Sequence, residues 1–448
     1  MMGYEEFLEQ GETLAEEGLV EEALARFEQA LAEDPGNPEA VEAVGRALMN
    51  LGRLEEAEER FREALALDPE WAAPHIDLAF LAMRREEPFK VVHHLERAIE
   101  ADPELPEAYV ELGRYYGLMG EPELARATFE RWTSANPEDA DVLIEAGLTL
   151  FDAGEYADAL GFFESAAEAA GSEEQRSAAL TYRANALDML GRYEEAVAGY
   201  EGVISQNPSW WEAHANLGIC HDRNGEREKA EAAFRRGLEE CPGSPELRDE
   251  LAAHYLAENR NLKEALALSE EAVALGRDEV RHLYTLGEVR AALHDDAGAE
   301  EAYRAVLTLD PEDPEARVEL GLIYERRGRI SEAEEQFMEA LKRDPNNPRA
   351  LHSYAGLYYS AGDEAMAERL LERALTSDPG YAPALSALSG LKAGQGDREG
   401  ALRLMRRAIE AGERDRSYFE NAPEFAALRG DAVFTALLER MDEAEGSP

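Results

Sequence analysis

Residues 317–345 read RVELGLIYERRGRISEAEEQFMEALKRDP. Two apolar stripes run through this stretch at helical spacing. Leu320, Gly321 and Tyr324 belong to the first; Ala333, Phe337 and Ala340 belong to the second. Gly328 lies between them, suited to cap the C-terminus of the first helix. Asp344-Pro345 closes the second, because proline cannot continue a helix and restricts the residue before it. The segment therefore predicts a helix, a glycine turn and a second helix.

Working outward, Pro345 lies 34 residues after Pro311 and 34 before Pro379. Pro35, Pro69, Pro103 and Pro137 keep the same interval, as do Pro208 and Pro242. A fixed period of this size is the mark of a repeat architecture. With Pro35 as position 32, position 1 is Tyr4, and Gly11, Leu14, Ala23, Phe27 and Ala30 occupy positions 8, 11, 20, 24 and 27. The next copy has Gly45, Leu48, Ala57, Phe61 and Ala64 at these positions; the fourth has Gly113, Tyr116, Ala125, Phe129 and Trp132. Small residues at 8 and 20 are expected where two helices cross closely, and positions 4, 7, 11, 24 and 27 bury a stripe on each helix. One such pair cannot cover both of its faces, so copies must stack.

These positions, together with stretches such as YVELGRYYGLMGEPELARATFE (residues 109–130), resemble the tetratricopeptide repeat, a 34-residue helix-turn-helix. Twelve copies are read over residues 4–415. The resemblance implies an all-α, right-handed superhelical solenoid of antiparallel helix pairs. Residues 1–173 hold copies one to five, 174–279 copies six to eight, and 280–415 copies nine to twelve. Longer junctions are expected near 171–176, where Ser172 to Arg176 lengthen the loop into copy six, and near 257–262, with a bend at each. Copy eight has Ser269 where the large residue of position 24 belongs. Residues 416–448 leave the register; Val433, Phe434, Leu437, Leu438 and Met441 form an apolar stripe after Gly430-Asp431, which predicts a C-terminal capping helix.

The 448 residues carry 96 Asp and Glu against 45 Lys and Arg, a formal charge of −51. Residues 1–200 hold 46 acidic and 15 basic residues. Such a balance argues against direct binding to nucleic-acid phosphates or anionic lipid and favours basic partners. No signal peptide and no membrane-spanning run is visible, and two cysteines are too few for a disulfide-built fold. A cytoplasmic protein is expected, and the Arg-, Glu- and Ala-rich composition, with five lysines, suggests a GC-rich bacterial genome.

No catalytic motif is found: H-E-x-x-H, the phosphate-binding G-x-x-x-x-G-K-[ST], G-x-S-x-G and C-x-x-C are all missing. The protein is therefore expected to be no enzyme and to need no cofactor. The best metal candidate is His214, Cys220, His221 and Cys241 with His254, but packing accounts for His214 and His221, and no metal site is assigned. His93-His94 reads as a half-exposed helix pair.

By resemblance, positions 2, 5, 9, 12 and 13 of the first helices line a concave groove that faces a ligand. The carboxylate clamp of chaperone-tail binders, Lys at 5 and Asn at 9, is missing; the first copies have Leu8 and Glu12, Glu42 and Arg46, Ile76 and Phe80. An asparagine ladder at position 6 is missing too, with Asn216 alone. Instead, Ile76, Phe80, Met83, Val110, Leu118, Ile144, Leu148 and Phe151 form an apolar cluster around Arg114, rimmed by Glu107, Glu111, Asp141, Glu145 and Asp152. Either this is a binding surface, or curling of the superhelix and inward packing of position 5 cover it. A second set is Tyr284, Val318, Leu322 and Tyr359. The expected function is a non-catalytic scaffold or adaptor that binds a protein or peptide, apolar with basic residues, in the groove. Two alternatives are a regulatory or substrate-recruiting subunit of an enzyme complex and a self-assembling structural protein; self-association is left open.

Overall fold

The computed structural model describes residues 3–276 and 279–445, with side chains to Met441. Its described residues form twenty-four helices in twelve successive pairs, then a short helix, a 3-10 turn and a last helix, with no strand. Each expected copy is one pair: Pro38–Asn50 with Leu54–Leu67 is the second, and Pro314–Arg326 with Ile330–Arg343 the tenth. Residues to Ala230 and from Glu231 form two compact units. Their division falls inside the second helix of copy seven, Arg227–Glu240, and at neither of the longer junctions.

Turn chemistry sets the period. The Asp of Asp-Pro accepts a hydrogen bond from the backbone N–H two residues on, at 2.9 Å for Asp102 to Glu104 and 2.8 Å for Asp378 to Gly380. This Asx-turn ends one helix. The residue at position 34 then caps the next: Asn37, Asp139, Ser244, Asp313 and Asn347 each accept from the N–H three residues on. Pro38, Pro106, Pro245, Pro314 and Pro348 follow at the first helical turn, where the missing N–H costs nothing.

Positions 8 and 24 are matched in volume. A Cβ on Gly45 would stand 2.6 Å from the Phe61 ring, and one on Gly287 would stand 2.7 Å from the Tyr303 ring. Gly11, Gly113, Gly147 and Gly321 face phenylalanine rings in the same way. Where position 8 is Ala79, Ala355 or Ser389, position 24 is the narrower Leu95, Leu371 or Met405. Copy eight follows the rule at its extreme: Ala252 faces Ser269, which is fully buried and donates to the Ala265 carbonyl at 2.8 Å. Copy six keeps Ala184 with Tyr200 and moves the glycine to Gly199, whose added Cβ would lie 3.0 Å from that of Ala184. Close-packed interiors require such trading of volume.

In most inter-helix turns a glycine takes the left-handed conformation, as Gly52 does at φ 75°. Copies three, eight and nine put Glu86, Asn259 and His294 there instead, at φ 57°, 49° and 60°.

The junction into copy six departs from expectation. Glu173–Met189 is one continuous helix of 17 residues, capped by the Ser172 hydroxyl, which accepts from Gln175 N–H at 3.1 Å. The extra residues therefore add a turn of helix instead of lengthening the loop, because Glu173 and Glu174 suit a helix N-terminus. The C-terminal helix, Ala432–Glu445, is capped by Asp431, which accepts from Val433 and Phe434 N–H. Phe434, Leu437, Leu438 and Met441 are buried with Leu402, Met405 and Ile409 of copy twelve, while Val433 is exposed. This helix covers the end of the array, as expected of a cap.

Candidate functional site

The apolar cluster of copies three to five is carried by three successive first helices, Ala73–Arg84, Pro106–Leu118 and Ala140–Asp152. Ile76, at position 5, is only 3% exposed and belongs to the core; its expected place on the groove surface is corrected. It joins the core with Leu95 and Ala98 of its own second helix and Ala108 of the next copy. Position 5 is likewise buried in Leu8, Glu42, Thr181, Ala215, Asp249, Val318 and Ser386, and half-buried in Val110, Ile144, Tyr284 and His352. Phe80, Met83, Val110, Leu148 and Phe151 are half-buried against that core, and Ile144 packs beside Leu143 and Ala166. Phe151 meets the edge of Tyr156 at 5.1 Å between ring centres. Leu118, the last residue of its helix, is 85% exposed.

Charge surrounds these residues. Arg114 donates to Glu145 at 2.6 Å and to Glu111 at 3.4 Å, tying copy four to copy five. Burial raises the Glu111 carboxyl above its usual range. Glu42 on copy two and Asp77 on copy three are both buried and close enough to interact. Burial first, and the Glu42 carboxylate second, push the Asp77 carboxyl up to about 9. One Asp77 oxygen has no hydrogen-bond partner, and Arg46 reaches Glu42 at 3.1 Å. Behind this face, His75 and His94 meet Nδ1 to Nδ1 at 3.2 Å, and burial lowers His94 to about 4. A wide depression of about 610 Å³ lies elsewhere in the unit, along Pro122–Thr133 and Tyr156–Ala169, with Arg126, Glu130 and Asp158 at its wall.

The second set divides. Val318 is fully buried, so its expected exposure is corrected as for Ile76. Tyr284 is half-buried and donates to Asp313 at 2.6 Å, next to the cap of copy ten. Leu322 and Tyr359 come together at a cavity of about 280 Å³, which the C-terminal segment Pro423–Leu428 helps to enclose. There the Tyr359 hydroxyl donates to Glu424 at 2.6 Å.

Of the histidine and cysteine candidates, His214, Cys220, His221 and His254 have local roles. His214 Nε2 donates to the Pro208 carbonyl at 2.9 Å. Tyr109, Arg248 and Arg317 make the same tie from position 4 to the preceding proline carbonyl. Cys220 donates to Asp188 at 3.2 Å, and His221 lies 2.7 Å from the Tyr193 hydroxyl and 2.9 Å from Glu226. His254 Nε2 accepts from Arg260 at 2.9 Å. Among the described residues, no three His, Cys, Asp or Glu side chains are grouped to hold a metal ion. Also among them, no helix is long and apolar enough to cross a membrane.

Family models described as tetratricopeptide repeat match residues 14–75, 110–174, 181–245, 251–314 and 291–357. The chain belongs to the tetratricopeptide repeat family. It is 30% identical over 156 residues to tetratricopeptide repeat protein 8 of Caenorhabditis elegans, covering 34% of this chain and 31% of that one. It is 30% identical over 106 residues to the Hsp70-Hsp90 organizing protein of Triticum aestivum, covering 24% and 18%. The chain thus spans about a third or less of the length of these relatives. Among solved structures it is similar to yeast Tom70, at 14% identity and a TM-score of 0.47, with 99% of this chain and 96% of the other covered.

Within this tetratricopeptide repeat array, sequence reasoning missed the Glu42–Asp77 pair and the lining that Glu325, His352, Gly356 and Tyr418 give the 280 Å³ cavity. Position arithmetic held part of the signal. Asp77 is at position 6, His352 at 5, Gly356 at 9 and Glu325 at 12, all on first helices. Tyr418 lies outside the period, so no repeat position could reveal it.

Proposed function

We propose that the protein is a non-catalytic interaction scaffold whose copies three to five bind a partner segment carrying apolar and basic residues. The observation that supports this reading is the conjunction on one face of half-buried apolar side chains, the outstanding Leu118, and carboxylates that outnumber the local cations. Phe80, Met83, Val110, Ile144, Leu148 and Phe151 supply shallow apolar contact. Leu118 supplies the exposed anchor, and Arg114, held between Glu111 and Glu145, orients the rim. A basic residue of the partner would meet the rim carboxylates Glu107 and Asp141, both exposed. Tyr284 and Leu322 with Tyr359 form a second, separate contact region on the later copies.

The test pairs binding with stability. Phe80 and Phe151 pack on the core, so their truncation would weaken the fold as well as the surface. Leu118→Asp changes an exposed residue and isolates the surface. In lysate captures at low and moderate salt, this variant should lose at least tenfold of the binding to partners held by the parent chain, with an unchanged melting temperature. Phe129→Ala, which empties a fully buried site, should instead lose about 3–5 kcal/mol of stability. Full binding by the Leu118→Asp variant would move the site away from copies three to five.

A further inference from the structure

The cavity of the second unit is built differently from the rest of the array. Its walls come from the first helices of copies ten to twelve, from Ala367 and Leu371 on the second helix of copy eleven, and from the non-repeat segment that follows them. The segment is seated firmly. Phe419 and Phe425 are fully buried, and Tyr418 packs its ring on both, at 5.2 and 5.8 Å between centres. Gly390 makes room for it: a Cβ there would stand 2.9 Å from the Tyr418 hydroxyl. Opposite, a Cβ on Gly356 would meet nothing within 4 Å, so the helix leaves open space where a side chain could have stood.

The charged groups around this space are anions, and the other polar ones are the Ser353, Tyr359 and Tyr418 hydroxyls and the His352 imidazole. Glu325 and Glu424 are carboxylates, and no lysine or arginine lines the cavity. Burial raises the Glu325 carboxyl and lowers the His352 imidazole, which therefore stands neutral at pH 7. Among the described residues Glu325 has no side-chain hydrogen-bond or ion-pair partner, although it is half-buried. Glu424 is oriented by the Tyr359 hydroxyl, which leaves its second oxygen open. Two tyrosine rings, Tyr359 and Tyr418, and the apolar side chain of Leu322 also line the space. The space of about 280 Å³ corresponds to roughly nine waters, too small for most drug-sized ligands and ample for one long side chain.

We propose that this cavity binds an ammonium or guanidinium group on a short aliphatic stem. The cation would be held between the Glu325 and Glu424 carboxylates and against the tyrosine rings, while the stem lies on Leu322. Such a group is offered by a lysine or arginine side chain of a partner or by a free alkylamine or alkylguanidine. The site shares no residue with the face in copies three to five, so failure of either leaves the other standing.

The experiment titrates the full chain with n-butylguanidinium and, as an uncharged probe of the same shape, n-butylurea, by calorimetry in moderate salt. A peptide, acetyl-Gly-Gly-Arg-Gly-Gly-amide, is the second arm; tighter binding of the peptide assigns the group to a partner side chain, and tighter binding of the small probe to a free ligand. Because a chain of −51 attracts any cation, variants carry the decision. Gly356→Leu fills the open space on a helix and should abolish saturable binding without lowering the melting temperature. Glu325→Gln should weaken it at least tenfold, and Glu335→Gln, on an exposed position of copy ten, should leave it unchanged. The proposal is overturned if neither charged probe saturates, if butylurea binds as well, or if binding survives Gly356→Leu.

Discussion

Gly45→Ala should destabilise the first unit even though alanine is the better helix former. The helical preference of alanine over glycine favours the variant by about 1 kcal/mol. Against this, the new Cβ would lie 2.6 Å from Phe61 Cε1, 2.9 Å from Cδ1 and 3.2 Å from Arg60 Cβ. Carbon atoms pack at about 3.5–4.0 Å, so the ring must withdraw by about 1 Å from a site in which it is fully buried. Overpacking of this kind costs about 1–3 kcal/mol, which leaves a net loss of up to about 2 kcal/mol. Phe61→Leu alone leaves a void and should cost about 1–2 kcal/mol. The double variant recreates the Ala79–Leu95 arrangement of the next copy and should recover most of both losses, a coupling of about 1–3 kcal/mol. Urea unfolding followed by far-UV circular dichroism reads the cycle, with the earliest transition assigned separately because linear arrays can unfold in segments. Additive losses in the double variant, or a Gly45→Ala protein more stable than the parent, would refute the volume rule.

Three left-handed turn residues should be improvable: Glu86→Gly and His294→Gly are each expected to stabilise by about 1 kcal/mol and Asn259→Gly by less, since only the first two lack the local tolerance of asparagine. Thermal melting checks this, and no gain from either would count against strain in those turns. The Asp77 carboxyl, at about 9 when folded against an ordinary value of 3.8, makes the first unit lose stability as pH rises from about 4 to 9. Asp77→Asn should flatten that decline, which urea midpoints at pH 5 and 8 compare; an equal decline in both proteins would place the cause elsewhere. His94 acts in the opposite sense: lowered from 6.5 to about 4, it removes stability as pH falls through that interval, and His94→Gln should reduce this acid loss.

Helices, turns and copy number were legible because each depends on residues within one 34-residue period. Gly328 caps, Asp344 turns, Asn347 caps the next helix, and Phe337 fills the space that Gly321 leaves; all four act over a few residues or across one helix pair. The same local rules misread Ser172 to Arg176 as a loop, because a helix start signal followed by acidic residues extends a helix as readily as it begins one. The surface of the groove was less legible. Ile76 and Val318 share position 5 with Val110 and Tyr284, yet the first pair is buried and the second half-exposed. That difference depends on how closely the next first helix approaches, which is set by side chains 34 residues away. The sequence alone determined a stacked array of helix pairs, because hydrophobic period and turn chemistry are local and repeat. Only the tertiary structure decided which groove positions meet solvent, because that follows from packing between neighbouring copies, and that residues 416–428 turn back to wall a cavity on copies ten to twelve, because no period relates that segment to the helices it covers.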